Sequence, residues 1–264
     1  MRKTAFTLAE VLITIGIIGV VAALLIPGIN DKIERHRNAV VLKRAYADLQ
    51  NYLKMLDYEY DCGKDFHTCF PGENELRFKL VDYLVKKQKF RSLNQNSTGY
   101  KRTNTLAAYT CSAVGYSVNN HSVHCLISPT GEYAYFIGGL VHDNFYELSY
   151  ANREYYRAKI DIVTDAKKLK ICKWTCRDKN DYPKAKIDAG RNMFTAFLTD
   201  KRVFPNGSNI GGDGYYWCPL TDDTCSKEKD NFSACFQKVI NDGWQIKYPY
   251  SKKLPYGSFF IIQL

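Results

Sequence analysis

The chain has 264 residues, 45% of them hydrophobic and 24% charged, with a formal net charge of +10. That balance excludes a disordered or collagen-like chain and supplies enough apolar mass for a core. The apolar residues are unevenly spread: Phe6 to Ile26 is 21 residues long and carries one ionisable group, Glu10. An ordinary soluble protein is excluded unless that stretch is removed.

The first element is therefore a membrane-length helix behind a basic start, Arg2 and Lys3. At about 1.5 Å per residue, 21 residues reach about 31 Å, the thickness of a bilayer's hydrocarbon core. A cleaved secretory signal, a plain anchor, and an anchor whose leader is cut before the apolar run all fit this length. Glu10 separates them. A carboxylate in a membrane span costs a few kcal/mol, so it belongs to a function and needs a partner. A cut between Ala5 and Phe6 creates an α-amine four residues from Glu10. Counting cations near the span puts more on the far side (Lys32, Arg35, Arg37, Lys43, Arg44) than in the leader. A bare count thus opposes export of the C-terminal part, but long domains cross largely regardless of charge.

The run Ala5-Phe6-Thr7-Leu8-Ala9-Glu10-Val11-Leu12-Ile13 resembles the N-terminal cleavage and methylation signal of type IV pilins and type II secretion pseudopilins. The resemblance covers about 25 residues and departs at Ala5, where the family usually has Gly. It implies removal of leader 1–5 by a prepilin peptidase and N-methylation of Phe6. It also implies a role for Glu10 in neutralising a neighbouring subunit's amine during assembly. Pro27 corresponds to the family's helix-bending proline. The implied partners are other pilin or pseudopilin subunits, the processing peptidase and methylase, and the inner membrane. The implied location is a single-pass inner-membrane protein, N-terminus cytoplasmic before cleavage, that passes into a periplasmic or cell-surface filament.

Asn30 and Asp31 are suited to cap a restarted turn after Pro27. Ile33, Val40, Val41, Ala45, Leu49, Tyr52, Leu53 and Leu56 then recur at helical steps and predict a stripe buried against a head domain. The spine thus divides into a transmembrane and assembly half (6–29) and an amphipathic half (30–60), bent near Pro27. Gly16 and Gly19 share one face, as close helix packing or ordinary membrane-helix usage would have it.

Residues 61–264 form the head, expected to be α+β on an antiparallel sheet, as in pilin-like proteins. Glu75 to Leu84 reads as a short helix, and Tyr133–Ile137 and Phe259–Ile262 read as strands. Pro71-Gly72, Thr130-Gly131, Asn206-Gly207 and Gly211-Gly212 signal turns. Ile187–Phe194, Phe204–Gly207 and Ser233–Ile246 resemble the C-terminal half of a bacterial subgroup of prepilin-type proteins. That resemblance implies two strands, with Trp244 a core anchor after a tight Asp242-Gly243 turn.

All nine cysteines lie in the head. Short spacings suggest the pairs Cys62–Cys69, Cys111–Cys125, Cys172–Cys176 and Cys218–Cys225, leaving Cys235 over, although spacing does not determine connectivity. The rival is zinc on Cys172, Cys176, Cys218 and Cys225, with His121, His124 and Cys125 close in sequence. Its spacing is loose, and an exported head favours disulfides over a metal.

Two stretches, 77–102 and 167–191, are strongly basic. They raise contact with DNA or acidic envelope polymers beside the plainer reading of solvated faces. His36, His67, His121, His124 and His142 are scattered. Asp213, Asp222 and Asp223 lack EF-hand spacing and read as turn acids. No G-x-S-x-G, H-E-x-x-H or P-loop is present. The expectation is a structural subunit without enzymatic activity or cofactor. The alternative is a membrane-anchored extracytoplasmic binding protein that never polymerises, and an anchored enzyme is a more distant third.

Overall fold

A single helix, α1 (Leu8–Tyr60, 53 residues), organises the chain in a computed structural model. The structure describes residues 7–72, 74–92, 123–138, 147–149, 154–168, 190–208, 220, 224–225 and 234–247. Two short helices follow, α2 (Phe66–Cys69) and α3 (Glu75–Lys86). The strands are β1 (Arg91–Ser92), β2 (Val123–Ile127), β3 (Ala134–Gly138), β4 (Glu147–Ser149), β5 (Glu154–Val163), β6 (Met193–Thr199) and β7 (Val203–Pro205). A last helix, α4, spans Cys235–Asn241.

The described strands make an antiparallel sheet in the order β1-β2-β3-β5-β6-β7, and β4 pairs with the start of β5. Alternation sends Leu126, Tyr135, Ile137, Ile160, Ile162 and Phe194 to one face, where they meet α1 and α4. The Tyr135 hydroxyl donates to the Ala45 carbonyl of α1 at 2.6 Å, and the Tyr133 hydroxyl donates to Asp48 at 2.7 Å. Burial above all, with the Asp48 contact adding to it, holds the Tyr133 phenol well above its usual pKa. Long helix and sheet are thus joined by polar contacts as well as by apolar packing. This is the α+β layout expected from the sequence.

The expected α3 and β3 are present within two residues of their predicted ends. The turns at Thr130-Gly131 and Asn206-Gly207 are also found, with Gly131 and Gly207 at positive φ. Phe259–Ile262 and Gly211-Gly212 lie outside the described residues.

The buried stripe of α1 differs from the one expected. Ala45, Leu49, Leu53 and Leu56 are buried, but so are Asn38, Ala39 and Leu42, whereas Ile33 and Val40 are exposed. The reason is a second apolar stripe on the opposite side of the helix, which periodicity alone does not separate from the first. No turn restarts after Pro27, since α1 runs through it without interruption. Asp31, at helix interior, pairs with Arg35 and Arg191 instead of capping.

The C-terminal segment also departs from expectation. Strands occur at β6 and β7, but the Asp242-Gly243 step closes α4 and joins no strands. Phe236, Val239 and Ile240 recur at helical spacing and turn inward. Trp244 is half-buried, 6.4 Å from the Phe236 ring, so its packing role stands on a helix end.

Two disulfides are present among the described residues. Cys62–Cys69 is as expected. Cys225 bonds to Cys235, so the Cys218–Cys225 pairing and the leftover Cys235 are both corrected. Cys235 opens α4, and the Thr224 carbonyl accepts from the Ala234 N–H at 2.9 Å, which draws the two cysteines together. Cys111, Cys172, Cys176, Cys218 and the side chain of Cys125 lie outside the described residues.

Candidate functional site

The first half of α1 is built from Leu, Ile, Val, Ala and Gly. A helix satisfies every interior backbone donor and acceptor within itself, which is the condition for crossing a bilayer. One 18-residue window has a mean hydropathy of 2.6, and none of it is buried inside the protein. Leu8 is 79% exposed and Leu24 75%. Burying such side chains in lipid or protein gains about 1.5–3 kcal/mol each, so this half is built for a non-aqueous neighbour.

Thr7 caps this helix from an extended conformation. Its N–H and its hydroxyl both donate to Oε2 of Glu10 at 2.8 Å, and the Glu10 N–H reaches back to Oγ1 at 3.3 Å. This is a capping box, and it gives Glu10 local partners. Both donors converge on Oε2, and Oε1 has no hydrogen bond among the described residues. A Cβ built on Gly16 or Gly19 meets nothing within 4 Å, so that face is open. Ala5 and Phe6 lie outside the described residues, as does the remainder of the leader.

The junction between the apolar half and the head is polar. Nη2 of Arg191, just before β6, lies 2.9 Å from Asp31 and 2.8 Å from Glu34. The Asn38 amide donates to the Arg191 carbonyl at 3.1 Å. Arg37 pairs with Asp165 at 2.7 Å and Arg44 with Glu132 at 2.9 Å. Sequence reasoning placed Arg191 in a basic surface stretch and missed this clamp. Asn38, a polar residue that the fold buries on α1, finds its partner there.

The other basic stretch is also partly consumed. Arg77 is buried, Lys86 pairs with Asp82 at 2.9 Å, and Lys87 lies 3.6 Å from Glu59. Lys86, Lys87, Lys89 and Arg91 remain exposed, so part of the stretch still faces solvent. Lys101 and Arg102 lie outside the described residues, as does all of 169–189.

A buried charge cluster escaped notice in the sequence. The Arg157 side chain is wholly enclosed, 3.8 Å from Asp200. It lies 2.7 Å from Nδ1 of His67 and donates to the Gly72 carbonyl at 3.2 Å. Burial raises the pKa of Asp200, and the Tyr155 N–H and Arg157 pull it back. The cluster ties α2 to β5 and β6. His36 is exposed and His124 half-buried, while His121, His142, Asp213, Asp222 and Asp223 lie outside the described residues. Among the described residues, no group of three or more His, Cys, Asp and Glu side chains is arranged to hold a metal ion.

No protein-family model, characterised protein or solved structure matches this chain.

Proposed function

We propose that the chain is a prepilin-type structural subunit, a pilin, minor pilin or pseudopilin, that works by assembly and not by catalysis. In this reading a prepilin peptidase removes residues 1–5. The apolar half of α1 holds the subunit in the inner membrane, and the same half then packs laterally against other subunits in a type IV pilus or type II secretion pseudopilus. Glu10 accepts the amine of a neighbouring Phe6. The observation that carries the reading is an apolar half-helix with none of its membrane-length window buried in the protein, whose lone carboxylate stands four residues beyond Phe6. Oε1, without a hydrogen bond among the described residues, and the open Gly16 and Gly19 face support it. A pilin-like head packed on the second half of α1 agrees with the described α+β layout.

Mass spectrometry of the mature N-terminus tests the proposal. N-methyl-Phe6 is expected, and an intact Met1 or a cut after Ala23 defeats it. One observation favours the second reading, a membrane-anchored binding protein that never polymerises: Thr7 already supplies Glu10 with two donors. Glu10→Ala separates the two. It leaves membrane insertion intact in both; in the first it impairs an incorporation into filaments that the unaltered chain shows, and in the second neither chain is incorporated.

A further inference from the structure

α1 carries a face for which the head has no use. Ile29, Ile33 and Val40 are 55%, 61% and 54% exposed, on the side opposite the buried Leu42 and Leu49. Their steps of four and seven residues place them on one stripe of a 3.6-residue helix. Lys32, His36 and Lys43 repeat the same steps beside it, and all three are exposed. Among the described residues Lys32 and His36 have no ion pair, and Lys43 rests only over the Trp244 ring at 5.8 Å. The acids of the same stretch, Asp31 and Glu34, are turned to the head and neutralised on Arg191.

We propose that this face, from Ile29 to Lys43, docks on an anionic phospholipid surface, with the subunit anchored by its apolar half and its head turned away from the bilayer. The proposal rests on the membrane reading of that half. Apolar side chains flanked by unopposed cations are the pattern that sits at a charged lipid interface. A second copy presenting the same face would bring like charges together, which disfavours self-pairing.

Pro27 and Gly28 lie where the two halves meet. The proline has no N–H to give the Ala23 carbonyl, so the helix is weakest there and can bend. The bend matters for reach. In a straight helix along the membrane normal, Val40 stands about 16 Å beyond Ile29, past the headgroups. A bend at Pro27, added to tilt of the anchored half, lowers the face toward the headgroups and leaves the head, packed on the opposite side, in water.

The test uses the full chain in vesicles of phosphatidylcholine alone and in vesicles that also contain phosphatidylglycerol. Flotation first establishes insertion. A membrane-impermeant amine reagent then labels the lysines, and mass spectrometry reads Lys32 and Lys43 against the exposed Lys86. Labelling of Lys32 and Lys43 is expected to fall about fivefold in the anionic vesicles, the factor that one cation at such a surface contributes. High salt should restore it, and so should the double variant Ile33→Glu, Val40→Glu. Equal labelling in both vesicle types overturns the proposal. Protection that follows protein density and ignores lipid charge assigns the face to a second copy and overturns it as well. Failure to float with either vesicle type defeats the membrane reading itself, a separate outcome.

Discussion

Nη2 of Arg191 lies 2.8 Å from Oε2 of Glu34, across 157 positions of sequence. The pair, with Asp31 on the same guanidinium, fastens the head to α1 just beyond the apolar half. All three side chains are partly shielded from water, so the attraction is less screened than on an open surface. We expect Arg191→Ala to lower stability by about 1–2 kcal/mol, and a double-mutant cycle with Glu34→Ala to show coupling of about 1 kcal/mol. Urea denaturation in detergent measures both.

His124 on β2 packs edge-on to Phe78 at 5.9 Å. Burial, and secondarily the positive charge of Arg77, push its pKa from 6.5 down to about 4. The folded chain therefore stays neutral at His124 where the unfolded chain binds a proton. The contribution is intact above about pH 6.5 and is lost as pH falls toward about 4. We expect His124→Phe to show a weaker acid dependence than wild type, with the two differing by about 2–3 kcal/mol across that window. Parallel slopes in unfolding experiments at several pH values would refute this.

Gly207 sits at φ +99, and a Cβ there would lie 2.7 Å from Cβ of Gln237 and 2.8 Å from the Ala234 carbonyl oxygen. The backbone at the start of α4 has no room to yield. Gly207→Ala is expected to cost about 2–4 kcal/mol from overlap and the strained φ together. Thermal unfolding reads the loss, and a melting temperature equal to wild type counts against the packing of α4 on this turn.

Peptide mapping without reduction should recover Cys225 linked to Cys235 and not to Cys218. The bond closes a separation of 10 residues, for which chain entropy gives about 2–3 kcal/mol. Cys235→Ala should lose about that much, whereas the partner-free reading of Cys235 expects only the small cost of a buried thiol's replacement.

Much of the plan is legible in the sequence alone. The apolar half of α1 follows from a bare run of Leu, Ile and Val, and α3 follows from its inward Leu76, Leu80 and Leu84. The strand at Ala134–Gly138 is bounded by an obvious Gly131 turn. Less legible was α4, because Val239-Ile240 is β-branched and an Asp-Gly step follows it, the local signature of a hairpin. Burial of Phe236 against Tyr46 and Phe194 outweighs that propensity.

Sequence by itself determined that residues 8–26 are apolar over a length that can cross a membrane, and that Glu10 is the one ionisable group among them. Hydropathy is additive along the chain, so no partner is needed to read it. Tertiary structure alone decided which stripe of α1 is core. Ile33 and Val40 are as apolar as Leu42 and Leu49, but the sheet arrives on the side where Tyr135 reaches Ala45 and Arg191 reaches Glu34. It likewise decided that Cys235 closes on Cys225, since a disulfide depends on where two backbones meet and not on how many residues separate them.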